Sequence, residues 1–282
     1  MEFFALHHLP TELAVRAYKL YGPQAVELLY DDPYLLMDEG LEAPFEAVDR
    51  FAIELGFDGY PELQKSLQEL IRTKLTSVQR IEITNDRIGD GDVLEKVLNT
   101  NVDNIRHTLE SISRAAFHDA VDALVKAKNI YIIGVRSSAM LANFFSYSLQ
   151  MIFDNVRLID TTAGSELFQQ MMAIGEGDVL FAISFPRYSK RVIKAVEFAR
   201  RAGADVVALT DSPESPIAPS AQQVLIAQSD MASYVDSLVA PLSLLNAIIV
   251  AVSRTNEEAV RERLQKLEHI WDEYDVYDKN QG

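Results

Sequence analysis

The chain has no cysteine, no long uninterrupted apolar run and few basic side chains. Without cysteine it has no disulfides, no thiol nucleophile and no cysteine-ligated metal, so we expect a cytoplasmic protein. The longest apolar candidate, Leu238 to Val252, is interrupted by Pro241, Ser243 and Asn246 and is too short to span a bilayer. The first residues lack the basic start of a signal peptide, which also favours the cytoplasm and no association with a membrane.

Basic residues are outnumbered: 26 Lys and Arg stand against 42 Asp and Glu, which gives a formal net charge of −16. Proteins that bind nucleic acid draw much of their affinity from cations that neutralise phosphates. This chain would therefore have to concentrate its positive charge in order to bind DNA. Its 282 residues, 48% of them hydrophobic, are enough for one large domain or two ordinary ones.

The sequence changes character along its length. From about Leu13 to Leu75 the pattern is helical, as in the stripe of apolar residues at 45, 48, 51, 52 and 55 that Gly56 ends. A polar connector, Thr84 to Asp92, follows. The predicted organisation is a small helical domain over residues 1–80, a linker over 81–92 and a third region over 93–282.

Beyond the connector, two helices between Val93 and Lys128 lead into short β-branched runs that alternate with helices. This alternation predicts an α/β fold with a doubly wound parallel sheet, covered by helices on both faces. We expect the tail, Trp271 to Gly282, to be loosely attached. The predicted strands are Asn129–Ile133, Val156–Ile159, Val179–Ile183, Val206–Leu209 and Val224–Ala227. The predicted helices among them are Ala139–Phe153, Ser165–Met172, Lys190–Ala202 and one from about Ser233 to Arg254.

Two of the predicted strands end in similar turns. The first strand runs into Gly134-Val135-Arg136-Ser137-Ser138, and the third runs into Ser184-Phe185-Pro186-Arg187-Tyr188-Ser189. Ligands of parallel sheets bind beyond the carboxyl ends of the strands, and phosphates are held by small or hydroxyl-bearing residues at helix N-termini. The two turns therefore predict one anion pocket, which contains Ser137, Ser138, Ser184 and Ser189.

Two further turns at the same edge are rich in hydroxyl groups: Thr161 to Ser165, which contains Thr162, and Thr210 to Ser212. For one turn alone, a helix N-cap is the simpler interpretation. Four such turns at one edge of a sheet favour a ligand site.

Groups that could perform catalysis are scarce at this edge. None of the five histidines lies at a strand-end turn. Glu166 and Asp211 lie nearby, but an acid in the first turn of a helix and a turn-forming residue explain them more simply. No cluster of His, Asp or Glu has the spacing of a metal site. We therefore expect binding without catalysis, with neither a metal nor a cofactor.

The two turns, together with Leu209 to Pro216, resemble the sugar isomerase (SIS) domain of RpiR/MurR-type bacterial transcriptional regulators. The resemblance runs from about Val93 to the end of the chain, with three motifs in the family's order. Upstream, Arg50-Phe51 and Leu55 to Leu63 resemble the end of that family's helix-turn-helix domain. The resemblance implies a helix-turn-helix-like N-terminal domain, a SIS domain over 93–282, and a phosphorylated sugar or related carbohydrate as effector.

In sugar isomerase domains, hydroxyl groups of the two turns hold the phosphate, and the matching positions here are the four serines named above. Many such domains have Ser-x-Ser-Gly-x-Thr as the second turn, where this chain has Phe185 to Ser189. Arg187 can pair with a phosphate or a carboxylate, so Arg187 and Tyr188 are expected to select the ligand. The expected ligand-binding residues are Arg136, Ser137, Ser138, Thr162, Ser184, Arg187, Tyr188 and Ser189.

The N-terminal segment departs from the family's DNA-binding pattern. The family usually has a Ser near Pro44, a Thr near Ala47 and an uncharged residue at Asp49. Residues 1–58 contain 3 basic and 12 acidic side chains, a local charge of −9, which disfavours contacts with phosphates. Arg50 is the candidate for a contact with DNA.

The same segment has a second resemblance. Tyr21 to Val26, Asp32 to Leu36 and Phe45 to Ala52 are similar to helix-hairpin-helix-like segments that precede the motor of RecD-type helicases. The chain has no Walker A sequence, so neither ATPase nor helicase activity is implied. Whether the chain is a natural or an engineered fusion stays open.

Three functions follow from these observations. The leading one is a DNA-binding transcriptional regulator that responds to a sugar phosphate or related carbohydrate derivative. The alternative is a carbohydrate-binding module whose acidic N-terminal domain contacts proteins rather than DNA. The third is a sugar-phosphate isomerase, which would need a base such as Glu166. A homodimer or homotetramer is expected, and the apolar helix Leu238 to Val252 either forms its interface or covers the sheet.

Overall fold

The computed structural model of the protein describes residues 2–7, 9–31, 33–37, 41, 43–56, 76–81, 92–160, 166–230, 236–255 and 257–277. The chain divides into two compact units, Met1–Leu75 and Thr76–Gly282. Each unit has an apolar core of its own.

The first unit is helical. Its core includes Leu29, Leu36 and Val48, which are fully buried, and Phe51, which is almost so. Pro23 lies in a short 3-10 turn, and the helix that follows this turn starts at Ala25. The helices of this unit are α1 (Glu2–Leu6), α2 (Thr11–Tyr21), α3 (Ala25–Asp31) and α4 (Phe45–Glu54), with 3-10 turns at Gly22–Gln24 and Pro33–Met37.

The second unit contains a parallel sheet of five strands in the order β2-β1-β3-β4-β5. β1 lies between β2 and β3, so the chain changes direction across the sheet between β1 and β3. The connections on either side of this pair diverge, which leaves a crevice at the carboxyl ends of the two strands. The strands are β1 (Ile130–Gly134), β2 (Val156–Leu158), β3 (Val179–Ile183), β4 (Asp205–Thr210) and β5 (Gln223–Ile226).

The central strands are buried on both faces, which is why they read as continuous apolar runs. Ile130 and Ile132 of β1 pack in one cluster with Phe181 of β3. Tyr131 and Ile133, which point to the opposite face, pack in a second cluster. Because both faces of the sheet are apolar, helices must cover each of them, and this requirement explains why strands and helices alternate along the chain.

Amphipathic helices cover the two faces. Among the described helices, those over 114–126, 138–150 and 239–255 pack on the face of Ile130, and those over 166–170 and 190–201 pack on the face of Tyr131. Side-chain caps start three of the helices: Asp92 at α5, Ser113 at α6 and Ser189 at α9. The helices are α5 (Val93–Ser111), α6 (Arg114–Lys126), α7 (Ser138–Gln150), α8 (Glu166–Gln170), α9 (Lys190–Arg201), α10 (Val239–Thr255) and α11 (Glu257–Glu273), with a 3-10 turn at Ala218–Ser220.

The predicted α/β fold is confirmed, and the structure corrects two details. α10 begins at Val239, later than the predicted start near Ser233, and its buried residues place it in the core beneath the sheet. The tail was expected to be loose from Trp271, yet α11 extends to Glu273. The predicted helical pattern beyond residue 56 and most of the connector lie outside the described residues.

An apolar stripe on α5 faces solvent. Within the described residues, Leu94, Leu98 and Val102 are at least half exposed, at 68%, 54% and 50%. Their spacing puts them on one face of the helix, together with Ile105 and Leu109. α5 therefore presents an exposed apolar face, whereas the apolar residues of α10 are largely buried.

No single helix in the described part of the chain is long and apolar enough to cross a membrane. α10 and α11 meet that test only as a pair, and the two are bent by 104° at the break between them.

We expect Gly134→Ala to destabilise the second unit by about 1–3 kcal/mol, because a Cβ at Gly134 would lie 2.4 Å from the main-chain oxygen of Ser138. That oxygen belongs to the first turn of α7 and cannot move without moving the helix. Gly175→Ala is the matched control, since a Cβ there would lie 3.7 Å from its nearest neighbour. Urea denaturation of both variants measures the difference, and equal stability of the two would contradict the close approach.

Candidate anion-binding pocket

A cavity of about 160 Å³ opens at the carboxyl ends of β1 and β3. The two strands pair along their whole length, with Gly134 opposite Ile183, so the turns that follow them begin side by side. The cavity therefore lies at the place where the order of the strands reverses, as expected for a ligand site in a parallel sheet. Its lining residues are Ser77, Arg80, Val135, Arg136, Ser137, Ser138, Ser184, Phe185, Pro186, Arg187, Ser189 and Asp236.

Both turns hold an arginine in the left-handed backbone region. Arg136 has a φ of 60° and Arg187 a φ of 62°. This conformation costs a residue with a Cβ about 1–2 kcal/mol. Such strain occurs most often at functional sites, where the surrounding structure maintains it. The two equivalent arginines both line the cavity and are both exposed.

Two buried hydroxyl groups in the cavity are available to a ligand. Ser138, the first residue of α7, and Ser184, directly after β3, are each only 3% exposed. Within the described residues, neither hydroxyl makes a hydrogen bond. Ser137 precedes α7 without a capping hydrogen bond from its side chain. Because buried polar groups are normally hydrogen-bonded, these serines are suited to hold oxygen atoms of a ligand.

Ser189 has a structural role as well. Its hydroxyl accepts a hydrogen bond from the backbone N–H of Arg191 at 3.3 Å and caps α9. The simple interpretation of this serine as an N-cap is therefore correct, although it also lines the cavity.

The structure does not bring every predicted residue to the cavity. Tyr188 is not among the lining residues, and its phenol donates a hydrogen bond to Asp211 Oδ1 at 2.9 Å. Asp211 is buried at the end of β4, where Thr210 also donates to it. Glu166 is exposed at the start of α8, as expected for an acid in the first turn of a helix. Thr162 lies outside the described residues.

Three lining residues were missed by the sequence patterns. Ser77 and Arg80 belong to a helical segment, residues 77–81, which precedes the polar connector and which we call the connector helix. Asp236 lies just before α10. The signal that was available is a capping box: Thr76 Oγ1 accepts from the N–H of Gln79, and Gln79 Oε1 accepts from the N–H of Thr76. It marks a helix start but not what the helix contacts.

Cations outnumber anions around the cavity. Among the described residues, Arg80, Arg136 and Arg187 line it together with one carboxylate, that of Asp236. Arg80 Nη1 lies 3.0 Å from Asp236 Oδ1, and Arg187 Nη1 donates to Ser77 Oγ at 3.1 Å. The arrangement is suited to an anion that carries several oxygen acceptors. Within the described part of the chain, no three His, Asp or Glu side chains are grouped as a metal site would require.

The described residues of the first unit include several exposed aromatic and apolar side chains. Arg50 is exposed on α4, and the Asp49 carboxylate beside it accepts a hydrogen bond from the Tyr34 phenol. Asp49 is therefore engaged within the unit's own structure. Among the residues exposed here are Tyr18 at 62% and Tyr30 at 49%.

Comparison with known families divides the chain in the same way. Residues 123–251 match the SIS domain family. Residues 1–75 match the HHH domain of the ATP-dependent RecD2 DNA helicase. Both resemblances seen in the sequence are therefore confirmed.

Curated relatives are transcriptional regulators. An uncharacterized HTH-type regulator of Caldanaerobacter subterraneus is 24% identical over 267 residues, which cover 93% of this chain and 92% of the relative. The HTH-type regulator YfhH of Escherichia coli is 26% identical and covers 79% of this chain and 81% of its own length.

Solved structures share the fold. The sugar isomerase domain of an RpiR transcription factor from Sphaerobacter thermophilus is 25% identical, with a TM-score of 0.59, and covers 62% of this chain and 97% of its own. The Vibrio vulnificus NanR protein, solved in complex with ManNAc-6P, is 19% identical, with a TM-score of 0.58 and 94% of each chain covered.

We expect Arg136→Gly and Arg187→Gly to leave the free energy of unfolding unchanged or to raise it by up to about 1 kcal/mol, because glycine adopts a positive φ without strain. Lys194→Gly, at an exposed position inside α9, is the control and should lower stability by about 1 kcal/mol. Urea denaturation compares the three variants. A loss of stability in both turn variants equal to that of the control would show that the turns are not strained.

Proposed function

We propose that this chain, which resembles RpiR-type regulators and matches the SIS domain family over residues 123–251, is a transcriptional regulator whose pocket binds a sugar phosphate or a related acidic carbohydrate. In this proposal the bound carbohydrate alters how the N-terminal unit engages operator DNA. The pocket residues act together as a receptor, and no chemical step takes place in it.

The observation that carries the proposal is that two kinds of group lie together at the carboxyl ends of β1 and β3. They are arginine side chains and serine hydroxyls that make no hydrogen bond within the described residues. Arg136 and Arg187 offer charge to a phosphate or carboxylate, while Ser138 and Ser184 offer hydrogen bonds from buried positions. NanR, which shares the fold, was solved with the sugar phosphate ManNAc-6P. A ligand of the same chemical class is consistent with this lining.

The lining also explains why binding is favoured over isomerisation. Moving a proton between adjacent sugar carbons requires a base near the substrate. Among the lining residues that the structure describes, the one carboxylate is that of Asp236, which is paired with Arg80, and none is a histidine. The curated relatives are likewise regulators rather than enzymes.

Two kinds of partner remain for the N-terminal unit. Operator DNA is supported by the HTH-type relatives that match the chain nearly throughout. A protein partner is supported by the charge of −9 over residues 1–58 and by the exposed Tyr18 and Tyr30. We place DNA first, with Arg50 as the residue that contacts it.

The homo-oligomer expected from the sequence stays a prediction. The exposed stripe of α5 is a better candidate for its interface than α10, whose apolar residues are largely in the core. Light scattering after size-exclusion chromatography measures the mass, and a mass of one chain would rule the oligomer out.

We expect a thermal-shift screen of phosphosugars and acidic sugars to find a stabilising ligand. At a concentration of one hundred times Kd, the gain is about 2.7 kcal/mol. Ser138→Ala and Ser184→Ala should lose most of this gain, because each removes a hydrogen bond from inside the cavity. Ser243→Ala is the control, since that hydroxyl bonds Val239 O within its own helix. Normal responses of both pocket variants would show that the ligand binds elsewhere.

We expect fluorescence anisotropy to detect binding to the DNA upstream of the gene and its neighbours, with an affinity that falls as salt rises. Arg50→Ala should weaken this binding because it removes one phosphate contact. Arg114→Ala, an exposed arginine at the start of α6 in the other unit, is the control. If no salt-sensitive binding occurs at low ionic strength, the DNA part of the proposal is wrong and the protein partner takes its place.

A further inference from the structure

The connector helix is attached to the sheet edge by polar groups rather than by apolar ones. Of residues 76–81, Arg80 is the one that is buried, at 2% exposure. Val78 and Ile81 are 65% and 43% exposed. A helix on a protein surface ordinarily buries its apolar residues and exposes its charges, so this segment is inverted.

Two contacts of this segment end in the cavity. Arg80 pairs with Asp236 at 3.0 Å, and Ser77 accepts a hydrogen bond from Arg187 at 3.1 Å. The Asp236 side chain is 9% exposed, so the ion pair is largely out of water. Burial of a guanidinium group is costly unless an anion accompanies it. The stabilising anion here is supplied by the protein itself.

Three separate segments each bring one arginine to the same cavity. Arg80 comes from the connector helix, Arg136 from the turn after β1 and Arg187 from the turn after β3. A ligand with a doubly charged phosphate has enough oxygen atoms to accept from more than one of these guanidinium groups. Asp236, just before α10, contributes one carboxylate, and its Oδ1 lies 3.0 Å from Arg80 Nη1.

We propose that Arg80 is an effector-binding residue and that the acidic group of the effector displaces Asp236 as its partner. This inference rests on the proposed function and adds to it the route by which binding is communicated. An effector held by Arg80 and by the arginines of the two turns links the connector helix to the sheet edge. Thr76 directly follows Leu75, the last residue of the N-terminal unit, so the connector helix is the covalent path between effector and output.

The two partners of the ion pair have opposite effects on an incoming anion. Removal of the Arg80 charge leaves the Asp236 carboxylate to repel the anion. Removal of the Asp236 charge removes a competing anion, so the Arg80 guanidinium attracts the incoming one more strongly. An ion pair that only stabilises the fold predicts the same sign for both substitutions, namely lower stability and no gain in affinity.

The test uses the full chain and two probes, inorganic phosphate and glucose 6-phosphate, titrated by calorimetry. Arg80→Gln should weaken binding of both probes about tenfold to a hundredfold, as the loss of a charged hydrogen bond predicts. Asp236→Asn should strengthen it by about threefold or more. Arg261→Gln is the control, because it removes an exposed ion pair with Glu257 outside the cavity. Arg80→Lys keeps the charge and should bind with intermediate affinity if Arg80→Gln fails to fold.

A second readout follows the connector helix directly. Hydrogen exchange of the peptide that covers residues 76–81 should slow when phosphate is added to the wild-type chain, and should not slow in Arg80→Gln or Arg80→Lys to the same degree. Faster or unchanged exchange in the wild-type chain under saturating phosphate would overturn the link between the effector and the connector helix.

The outcomes separate this inference from the proposed function. If glucose 6-phosphate binds the wild-type chain and Arg80→Gln equally well, the role of Arg80 is wrong and the carbohydrate effector stands. If inorganic phosphate binds through Arg80 but the sugar ring adds no affinity, the role of Arg80 stands and the carbohydrate class is wrong. Equal weakening in Arg80→Gln and Asp236→Asn would identify the pair as structural, and failure of the wild-type chain to bind either probe would overturn both.

Discussion

The close approach between the end of β1 and the first turn of α7 is the constraint on which the pocket depends. The main-chain oxygen of Ser138 lies so near Gly134 that no side chain fits between them. This contact turns the chain abruptly from strand to helix, and it leaves Arg136 with a positive φ. Because β3 pairs with β1 up to Ile183, its own turn begins beside the first one. The pocket is therefore a consequence of strand pairing and of one tight turn.

The sequence was most informative where local patterns and tertiary structure agree. Apolar runs such as Ile130 to Ile133 are buried on both faces, so their composition indicates a central parallel strand without further information. The serines of the two turns could be placed at one edge because parallel strands end on the same side of a sheet. Their positions relative to a strand end follow from topology alone.

What the sequence could not supply depends on contacts between distant segments. Arg80 and Asp236 are separated by 156 positions, and neither belongs to a recognisable motif. Tyr188 lies inside a motif, yet its direction is decided by Asp211 at the end of another strand. α11 was missed because its charged residues dominate and Val260 alone of its residues is buried among those described. In each case the deciding partner is far away in sequence.

The left-handed arginines have a consequence for how this pocket changes over evolutionary time. At most positions, replacement of a functional side chain by glycine damages the fold, so selection on stability helps to preserve function. At Arg136 and Arg187 the backbone conformation reverses this relation, since glycine suits the local geometry better than arginine does. A lineage that no longer needed its ligand could replace Arg136 by glycine at no cost to the local backbone, whereas loss of Arg187 would also remove its hydrogen bond to Ser77.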